Sequence, residues 1–375
     1  MNNLVVAVNV SNESRNGSNT VYLERFLSCL KPEEIPNYTI LVCKEGYEIL
    51  YPLFPELKYE LYEISPYFYS LLRFDISLKE AIRFREYVNK HRYDCVFISH
   101  FFAFFTRYKF NCKKVVVIHD IIPLHGKKHS FFEFKEYLFF KHYVKCQLKT
   151  SDNIIAISDY VKDDIVNTFK FKNADKIITI RNSIVTCQNT KQPQNFNESK
   201  YILFVGRPVS YKGFMTALKA FENLTVKGYK LVFVCRGIGY WKDVVEPYIN
   251  ANKLNDDIIH LEGVSDENLT WLYQNASLFI TPSEHEGFGY TPIEAAINRC
   301  PVISSECDSL PEVTMGLVYY YHPTTDYLAL AHRMADVLNN PPSDEQLSSI
   351  SNRLISEYSP QKQADRIKQV LNNKI

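Results

Sequence analysis

Short apolar segments alternate with longer amphipathic segments along this chain of 375 residues, and that alternation restricts the fold more than any other feature. The apolar segments are rich in Val, Ile and Phe, which is typical of β-strands that are buried on both faces. Buried strands that alternate with helices predict parallel sheets with helices packed against either side. The pattern therefore predicts the α/β class.

This periodicity locates the individual elements. Strands are predicted at Leu4–Val10, Tyr38–Lys44, Tyr59–Ile64, Tyr93–His100, Lys114–His119, Asn153–Ser158, Lys176–Arg181, Tyr201–Arg207, Lys230–Cys235, Ile258–Glu262, Leu278–Ser283, Pro301–Ser305 and Leu317–Tyr321. Helices are predicted at Thr20–Leu30, Ser77–Lys90, Phe131–Lys149, Asp159–Phe169, Gly213–Leu224, Trp241–Asn250, Glu267–Asn275 and Pro292–Asn298.

A polar stretch, Thr186–Lys200, separates two such series and has the composition of a linker. We therefore predict two doubly wound, Rossmann-like domains in tandem, residues 1–190 and 198–357, with a cleft between them. Ligands of such sheets bind beyond the carboxyl ends of the strands, at helix N-termini.

Charge and cysteine content exclude several classes of protein. Lys and Arg total 43 and Asp and Glu total 42, and this balance argues against nucleic acid as a partner. The nine cysteines include no C-x-x-C pair, which favours reduced thiols in a cytoplasmic protein. The N-terminal apolar run is typical of a first strand rather than a signal peptide. There is no D-x-D or H-E-x-x-H pattern, so no metal is expected.

Glycine is scarce, with 12 residues in the chain where about 7% is usual. Nine of the twelve lie between Gly206 and Gly316. A chain poor in glycine should retain it where the backbone needs a positive φ or approaches a ligand closely. This asymmetry directs attention to the second half of the chain.

The first candidate motif, Val205–Gly213, joins a predicted strand to a predicted helix. Arg207 and Lys212 lie five residues apart in it, with glycine at either end of the turn. Both cations and free backbone N–H groups could meet a diphosphate there. The alternative is an ordinary turn that carries two solvated cations.

The second motif, Glu284–Glu294, reads Glu-His-Glu-Gly-Phe-Gly-Tyr-Thr-Pro-Ile-Glu after the strand that ends at Ser283. Glu286 and Glu294 could each accept hydrogen bonds from vicinal hydroxyls of a sugar or ribose. Two alternatives stay open. Thr291 and Glu294 fit the capping box of a helix, and Glu286 could simply be favoured by a helix dipole.

Candidates in the first half are sparser. His119 and Asp120 follow a buried strand, although a satisfied structural histidine explains His119 equally well. The loop after the first strand, Ser11–Ser18, contains only Gly17 and lacks a G-x-G-x-x-G fingerprint.

The combination and order of these motifs resemble the retaining GT-B glycosyltransferases of family four. The resemblance is carried by Gly206-Arg207, Lys212-Gly213, the two glutamates in an E-x7-E pattern, Pro301–Ser305 and Ser309–Glu312. It is strongest over Tyr201–Asn339. Tyr290 departs from the family pattern, in which leucine is common at this position.

The resemblance implies a role for each matching residue. Arg207 and Lys212 would hold the donor diphosphate and replace a metal ion, while Glu294 would bind the ribose. Gly17 would let the first loop approach the diphosphate, and His119 would face the transferred sugar from the first domain. The catalytic set would be Glu286, His119, Arg207 and Lys212. The sugar-binding segment would be Glu286, Gly287, Phe288, Gly289, Tyr290 and Thr291.

The resemblance also implies an activity and a division of labour. A hexose would pass with retention from a nucleotide-sugar to a hydroxyl of a glycan or lipid-linked acceptor, in surface polysaccharide biosynthesis. GDP-mannose is the preferred donor, UDP-sugars stay open, and no nucleophile is assigned. The first domain would bind the acceptor and the second the donor, with a C-terminal helix, residues 358–375, returning to the first domain. The alternatives are another GT-B enzyme, such as a sugar-nucleotide epimerase, or a non-catalytic nucleotide-sugar-binding subunit.

Aromatic residues and lysines are combined in Phe131–Lys149. Such a segment fits peripheral contact with the inner face of a membrane, but an ordinary core helix whose lysines face water is the stronger interpretation.

Overall fold

The computed structural model describes residues 2–8, 10, 18–63, 74–99, 106–125, 131–187 and 189–372. The chain divides into two compact units, one comprising Met1–Ser183 with Pro360–Ile375 and the other Ile184–Ser359. The division at Ser183 and Ile184 lies slightly before the polar stretch from which the linker was predicted.

The first unit is built on a parallel sheet of seven strands. The strands are β1 (Asn3–Val6), β2 (Tyr38–Val42), β3 (Lys58–Leu61), β4 (Cys95–Ile98), β5 (Lys113–Ile118), β6 (Asn153–Ala156) and β7 (Ile177–Thr179). Their order is β3-β2-β1-β4-β5-β6-β7. Every residue of β1, β2 and β4 is buried, which explains why these strands read as continuous apolar runs.

Among the described residues, these strands are connected by the helices α1 (Ser18–Leu27), α2 (Lys44–Leu50), α3 (Phe74–His91), α4 (Phe131–Thr150) and α5 (Asp159–Phe169). The start of α5 shows how the sequence sets a helix boundary. Ser158 precedes it in an extended conformation, and its side chain accepts a hydrogen bond from the backbone N–H of Val161.

The second unit contains a parallel sheet of six strands. The strands are β8 (Tyr201–Val205), β9 (Lys230–Val234), β10 (Ile258–Leu261), β11 (Leu278–Thr281), β12 (Val302–Ser305) and β13 (Tyr319–Tyr321). Their order is β10-β9-β8-β11-β12-β13, so the direction of winding reverses between β8 and β11.

The helices of this unit are α6 (Phe214–Glu222), α7 (Glu246–Ala251), α8 (Asp266–Asn275), α9 (Tyr290–Ile297), α10 (Leu310–Val313), α11 (Tyr327–Asn339) and α12 (Asp344–Glu357). One apolar core lies on the α6 and α11 side of the sheet, around Phe204, Phe214, Phe233 and Trp241. Buried aromatic rings of this kind contribute a large share of the apolar area removed from water.

The last helix, α13 (Pro360–Leu371), belongs to the first unit, where it packs against α1 and β5. Its buried residues include Ala364, Ile367 and Val370, whose three-residue spacing forms one face of a helix. The predicted fold class, with two Rossmann-like parallel sheets and a C-terminal helix that returns to the first unit, is confirmed.

Candidate active site

The two predicted motifs of the second unit meet at the carboxyl edge of its sheet. The segment after β8 carries Arg207 and Lys212, and the segment after β11 carries Glu286. Because β8 and β11 are neighbours at the point where the winding reverses, both segments open at one place. The backbone N–H of Glu284 donates to the carbonyl of Tyr211 at 2.7 Å and ties the two segments together.

Gly213 makes this close approach possible. A short 3₁₀ turn, Ser210–Lys212, follows β8, and Gly213 then adopts a left-handed conformation with φ of 76° before α6 begins. A Cβ atom on Gly213 would lie 2.0 Å from the carbonyl oxygen of Pro282. Glycine is therefore needed both for its φ and for its lack of a side chain, and its position sets Lys212 beside the loop that follows β11.

Lys212 and Glu286 form an ion pair in this crevice. The ammonium group of Lys212 donates to Glu286 Oε1, and the hydroxyl of Ser283 donates to the same oxygen at 3.1 Å. The Lys212 and Glu286 side chains are 17% and 11% exposed. The pair is largely desolvated yet still reachable, so an anionic ligand could take Lys212 as its counter-ion while Glu286 turned to a hydroxyl.

Arg207 lies on the same segment but is more open to solvent. Its Nη2 donates to the hydroxyl of Tyr211 at 3.4 Å, and its side chain is exposed. The predicted pair of cations thus consists of one fixed lysine and one exposed arginine.

The segment Glu286–Thr291 turns sharply into α9. Gly289 has φ of 96°, and a Cβ atom on it would lie 2.4 Å from Cδ2 of Leu310. The side chain of Phe288 is buried, with its ring centroid 5.1 Å from that of Tyr290. Phe288 is therefore part of the core, and only the backbone around it could contact a ligand. Gly287 is buried in the same turn.

The capping-box alternative for Glu294 is wrong. Helix α9 begins at Tyr290, directly after Gly289, and no side chain caps its start. Thr291 therefore lies inside the helix, one turn from Glu294, and is not its N-cap. Oε2 of Glu294 accepts a hydrogen bond from the hydroxyl of Tyr273 at 3.3 Å. Burial and the nearby Glu294 carboxylate raise the pKa of Tyr273 well above its usual value, so Tyr273 stays a donor to Glu294.

Three residues of this site were not predicted from the sequence. Asp308 accepts a hydrogen bond from the backbone N–H of Glu286 at 3.0 Å, and Ser283 contacts the Glu286 carboxylate. The hydroxyl of Ser309 is shared between the carbonyls of Glu286, at 2.9 Å, and Phe288, at 3.0 Å. Ser309 lies in a motif used for the resemblance, but motif spacing does not show which backbone groups it contacts.

His119 lies in the first unit, directly after β5, and is buried. Its Nε2 donates to the carbonyl of Ser99 at 3.1 Å, which leaves Nδ1 as an acceptor without a partner among the described residues. Burial lowers the pKa of His119 to about 4. The ring is therefore neutral near pH 7 and suits hydrogen bonding better than proton transfer.

Asp120 and Gly17 are the two other candidate residues of the first unit. Asp120 accepts a hydrogen bond from the backbone N–H of Ile122 at 3.1 Å and so stabilises a local turn. The predicted role of Gly17 falls outside the described residues.

Within the described ranges, no group of three or more His, Cys, Asp and Glu side chains is placed to hold a metal ion. Nor does any helix in those ranges combine the length and apolar character that a membrane span requires.

Two family models match consecutive parts of the chain. Residues 44–187 match the model described as Glycosyltransferase Family 4, and residues 187–354 match Glycosyl transferases group 1. The two meet at residue 187, close to the division between the units.

Two curated relatives that match the chain are named as O-antigen chain mannosyltransferases. The chain is 28% identical over 210 residues to the O-antigen chain mannosyltransferase RfbU of Salmonella typhimurium, covering 56% of this chain and 57% of the relative. It is 29% identical over 184 residues to O-antigen chain mannosyltransferase B of Escherichia coli, covering 46% and 48%. The matching segments thus span about half the length of these relatives.

Structural similarity extends over the whole chain. The crystal structure of Anabaena HepE in complex with UDP and glucose covers 100% of both chains with a TM-score of 0.71 at 14% identity. This level of identity supports the fold alone. The chain therefore has the GT-B fold, with a segment similar to Glycosyltransferase Family 4 followed by a segment similar to Glycosyl transferases group 1.

Proposed function

We propose that this protein is a retaining glycosyltransferase that moves a hexose from a nucleotide-sugar to a hydroxyl of a glycan or lipid-linked acceptor in surface polysaccharide biosynthesis. The observation that carries the proposal is the Lys212–Glu286 pair at the crevice between β8 and β11. In this pair, Lys212 supplies a cation for the leaving diphosphate and Glu286 supplies a carboxylate that can accept hydrogen bonds from sugar hydroxyls.

The proposed reaction breaks the bond between the anomeric carbon and the diphosphate oxygen. The electron pair stays on the diphosphate, whose growing charge is met by Lys212 and Arg207. The acceptor hydroxyl bonds to the anomeric carbon and loses its proton to the leaving phosphate. Lys212 and Arg207 supply the charge that a divalent ion would otherwise supply, so the proposed reaction needs no metal cofactor.

The remaining site residues bind the donor. Glu286 accepts hydrogen bonds from the transferred hexose, and the turn from Gly287 to Thr291 presents backbone N–H groups to it. Glu294, held by Tyr273, accepts from the ribose hydroxyls. His119 of the first unit has a neutral ring whose Nδ1 can accept a hydrogen bond from a hydroxyl.

Mannose from GDP-mannose is the donor we favour. Both curated relatives are named as O-antigen mannosyltransferases. HepE was crystallised with UDP and glucose, so a UDP-hexose is the competing donor.

The proposed location is the cytoplasm, at the inner face of the membrane. All nine cysteines are free thiols, as expected in a reducing compartment. On α4, Phe134 and Leu138 lie one turn apart and are 46% and 48% exposed. Lys145 and Lys149 continue the same face and are exposed, so apolar and cationic groups lie side by side as on interfacial helices.

Vesicle flotation tests this contact. We expect the protein to float with vesicles that contain phosphatidylglycerol and not with pure phosphatidylcholine, and Phe134→Ser with Leu138→Ser to abolish the difference. Leu328→Ser is the matched control, because Leu328 is 47% exposed on α11 of the second unit. Equal flotation of all variants, or none by the wild type, would contradict a membrane contact through α4.

A donor screen tests the activity itself. GDP-mannose, UDP-glucose and dTDP-sugars are compared by thermal unfolding, where a ligand at about 100 times its Kd adds about 2.7 kcal/mol. The stabilising donor is then incubated with a glycan acceptor, with and without EDTA, and the product anomer is read by NMR. We expect transfer with retention that EDTA leaves unchanged. An epimerised donor would support a sugar-nucleotide epimerase, and binding without turnover would support a binding subunit.

A further inference from the structure

The loop between β12 and α10, Glu306–Ser309, fixes the backbone of the loop that carries Glu286. The hydroxyl of Ser309 contacts the carbonyls of Glu286 and Phe288, and the thiol of Cys307 donates to the carbonyl of Ser283 at 3.1 Å. Asp308 accepts from the N–H of Glu286. The loop thus contacts the Glu286 loop through both its donors and its acceptors.

Asp308 adopts a left-handed backbone conformation, which is uncommon outside glycine but which Asp tolerates better than most residue types. Its φ is 46°, in the left-handed region that most side chains avoid. Its side chain is only 14% exposed, and Oδ2 accepts from Glu286 N at 3.0 Å and from Nδ1 of His285 at 3.2 Å. A residue held in such a conformation at a binding site is best explained by the contact that the conformation permits.

We infer that Asp308 is a positioning residue for the transferred sugar, and this inference rests on the proposed function. Asp308 accepts hydrogen bonds from the backbone N–H of Glu286 and from the ring of His285. These bonds fix the backbone position from which the Glu286 side chain extends. The Glu286 carboxylate is then left for Lys212 and for sugar hydroxyls. Asp308 itself makes no hydrogen bond or ion pair with Lys212 among the contacts of the described residues, so its role is separable from diphosphate binding.

Two variants of Asp308 separate this role from a merely structural one. Asp308→Gly removes the carboxylate and suits the positive φ, so the protein should unfold at a temperature close to that of the wild type. Its kcat for transfer should fall about 10- to 100-fold, the effect of a small misplacement of a reacting group. Its Kd for the nucleoside diphosphate alone should not change. Asp308→Asn keeps an oxygen acceptor for Glu286 N, and its kcat should stay within about threefold of the wild type.

Asp326→Gly is the matched control. The Asp326 carboxylate also accepts backbone hydrogen bonds, from Leu328 and Ala329 at 2.9 Å each, but it does so at the start of α11. This variant should unfold at a lower temperature and keep its kcat. Wild-type kcat in Asp308→Gly would overturn the inference, as would a parallel loss of kcat and of diphosphate binding.

Amide hydrogen exchange keeps this test independent of the activity. The Glu286 amide should be protected in the wild type and in Asp308→Asn and exchange faster in Asp308→Gly. Unchanged protection in Asp308→Gly would refute the positioning contact. If the wild type shows that contact but transfers no sugar from any donor, the proposed function fails, and with it the assignment of Asp308 to sugar positioning.

Discussion

The carboxyl edges of the two sheets differ in how their functional residues are held. In the second unit, Lys212, Glu286 and Asp308 come from three separate segments and are joined by hydrogen bonds. In the first unit, His119 is buried and neutral, and Asp120 stabilises its own turn. The segments that follow β1 and β4, residues 11–17 and 100–105, lie outside the described residues.

This difference affects how readily the functional residues of each unit are recognised from the sequence. Short loops with glycine at fixed positions, such as Gly213 and Gly289, leave a motif that can be recognised along the chain. Under the proposed function, the first unit binds the acceptor through the segments that follow its strands, and loops of that kind carry specificity without a fixed spacing. The scarcity of glycine in the first half of the chain agrees with this difference, because few glycine-containing motifs can be recognised there.

The largest effect should come from adding one methyl group at Gly213. Gly213→Ala places a Cβ against the carbonyl of Pro282 and also has to adopt a φ of 76°, so the free energy of unfolding should fall by about 4 kcal/mol. Gly228→Ala is the control, since Gly228 has a φ of 89° but nothing within 4 Å of an added Cβ. It should cost only the backbone strain, about 1 kcal/mol. If urea unfolding gave similar losses of unfolding free energy for Gly213→Ala and Gly228→Ala, the contact between the two motifs would not be tight.

Removing the lysine should affect the proposed reaction rather than the fold. Lys212→Met should lower kcat/KM by about 100- to 1,000-fold, the usual loss when one stabilising donor to a developing anion is removed. Lys219→Met, which removes an exposed lysine from the neighbouring helix α6, is the control and should behave as the wild type. Wild-type turnover by Lys212→Met would remove Lys212 from the proposed mechanism.

The stability of the first unit should depend on pH because of His119. Burial lowers the pKa of His119 to about 4, so between about pH 6.5 and pH 4 the unfolded chain binds a proton that the folded protein does not. The corresponding stability is complete above pH 6.5 and is lost as the pH falls, by about 3 kcal/mol in total.

Urea unfolding at pH 7.5 and pH 4.5 checks this expectation. The wild type should lose more stability between the two pH values than His119→Phe, which has no group to protonate at this position. Identical losses of unfolding free energy in the two proteins would show that His119 is accessible to solvent. A change in kcat with pH near the ordinary pKa of histidine would instead support a role of His119 in proton transfer.

Most of the fold was predictable because buried parallel strands leave continuous apolar runs. Helices α11 and α12 were missed although a signal existed. Leu330, Met334 and Val337 recur at helical spacing in α11, and Ser343 begins α12 with a capping box. Helix α2 contains Gly46, a poor helix former, and the contact that favours glycine there is with Val10, far away in the sequence.

Within the site, sequence spacing was sufficient to predict the residues that lie in recognised motifs. It was insufficient to predict the residues that are held by tertiary contacts. The Lys212–Glu286 contact follows from β8 and β11 being neighbours in the sheet. The resemblance had given both residues a role in donor binding without this strand order. Asp308 has no signal in the sequence, because neither its positive φ nor its bond to Glu286 is a local property. Thr291 shows the opposite error, because a local pattern suggested a cap at a residue that lies inside α9, which already begins at Tyr290.

The smallest expected effect is the one that separates the two interpretations of Glu294. If Thr291 capped α9, Thr291→Ala would cost about 1 kcal/mol. Since Thr291 lies inside the helix, we expect a change in the free energy of unfolding of less than about 0.5 kcal/mol. Ser343→Ala is the control, because Ser343 and Gln346 form a complete capping box at the start of α12, and it should cost about 1 kcal/mol. Equal losses for the two variants in urea unfolding would restore the capping role. A loss confined to Ser343→Ala would exclude the capping role of Thr291, and the Glu294 carboxylate would retain its hydrogen bond from Tyr273.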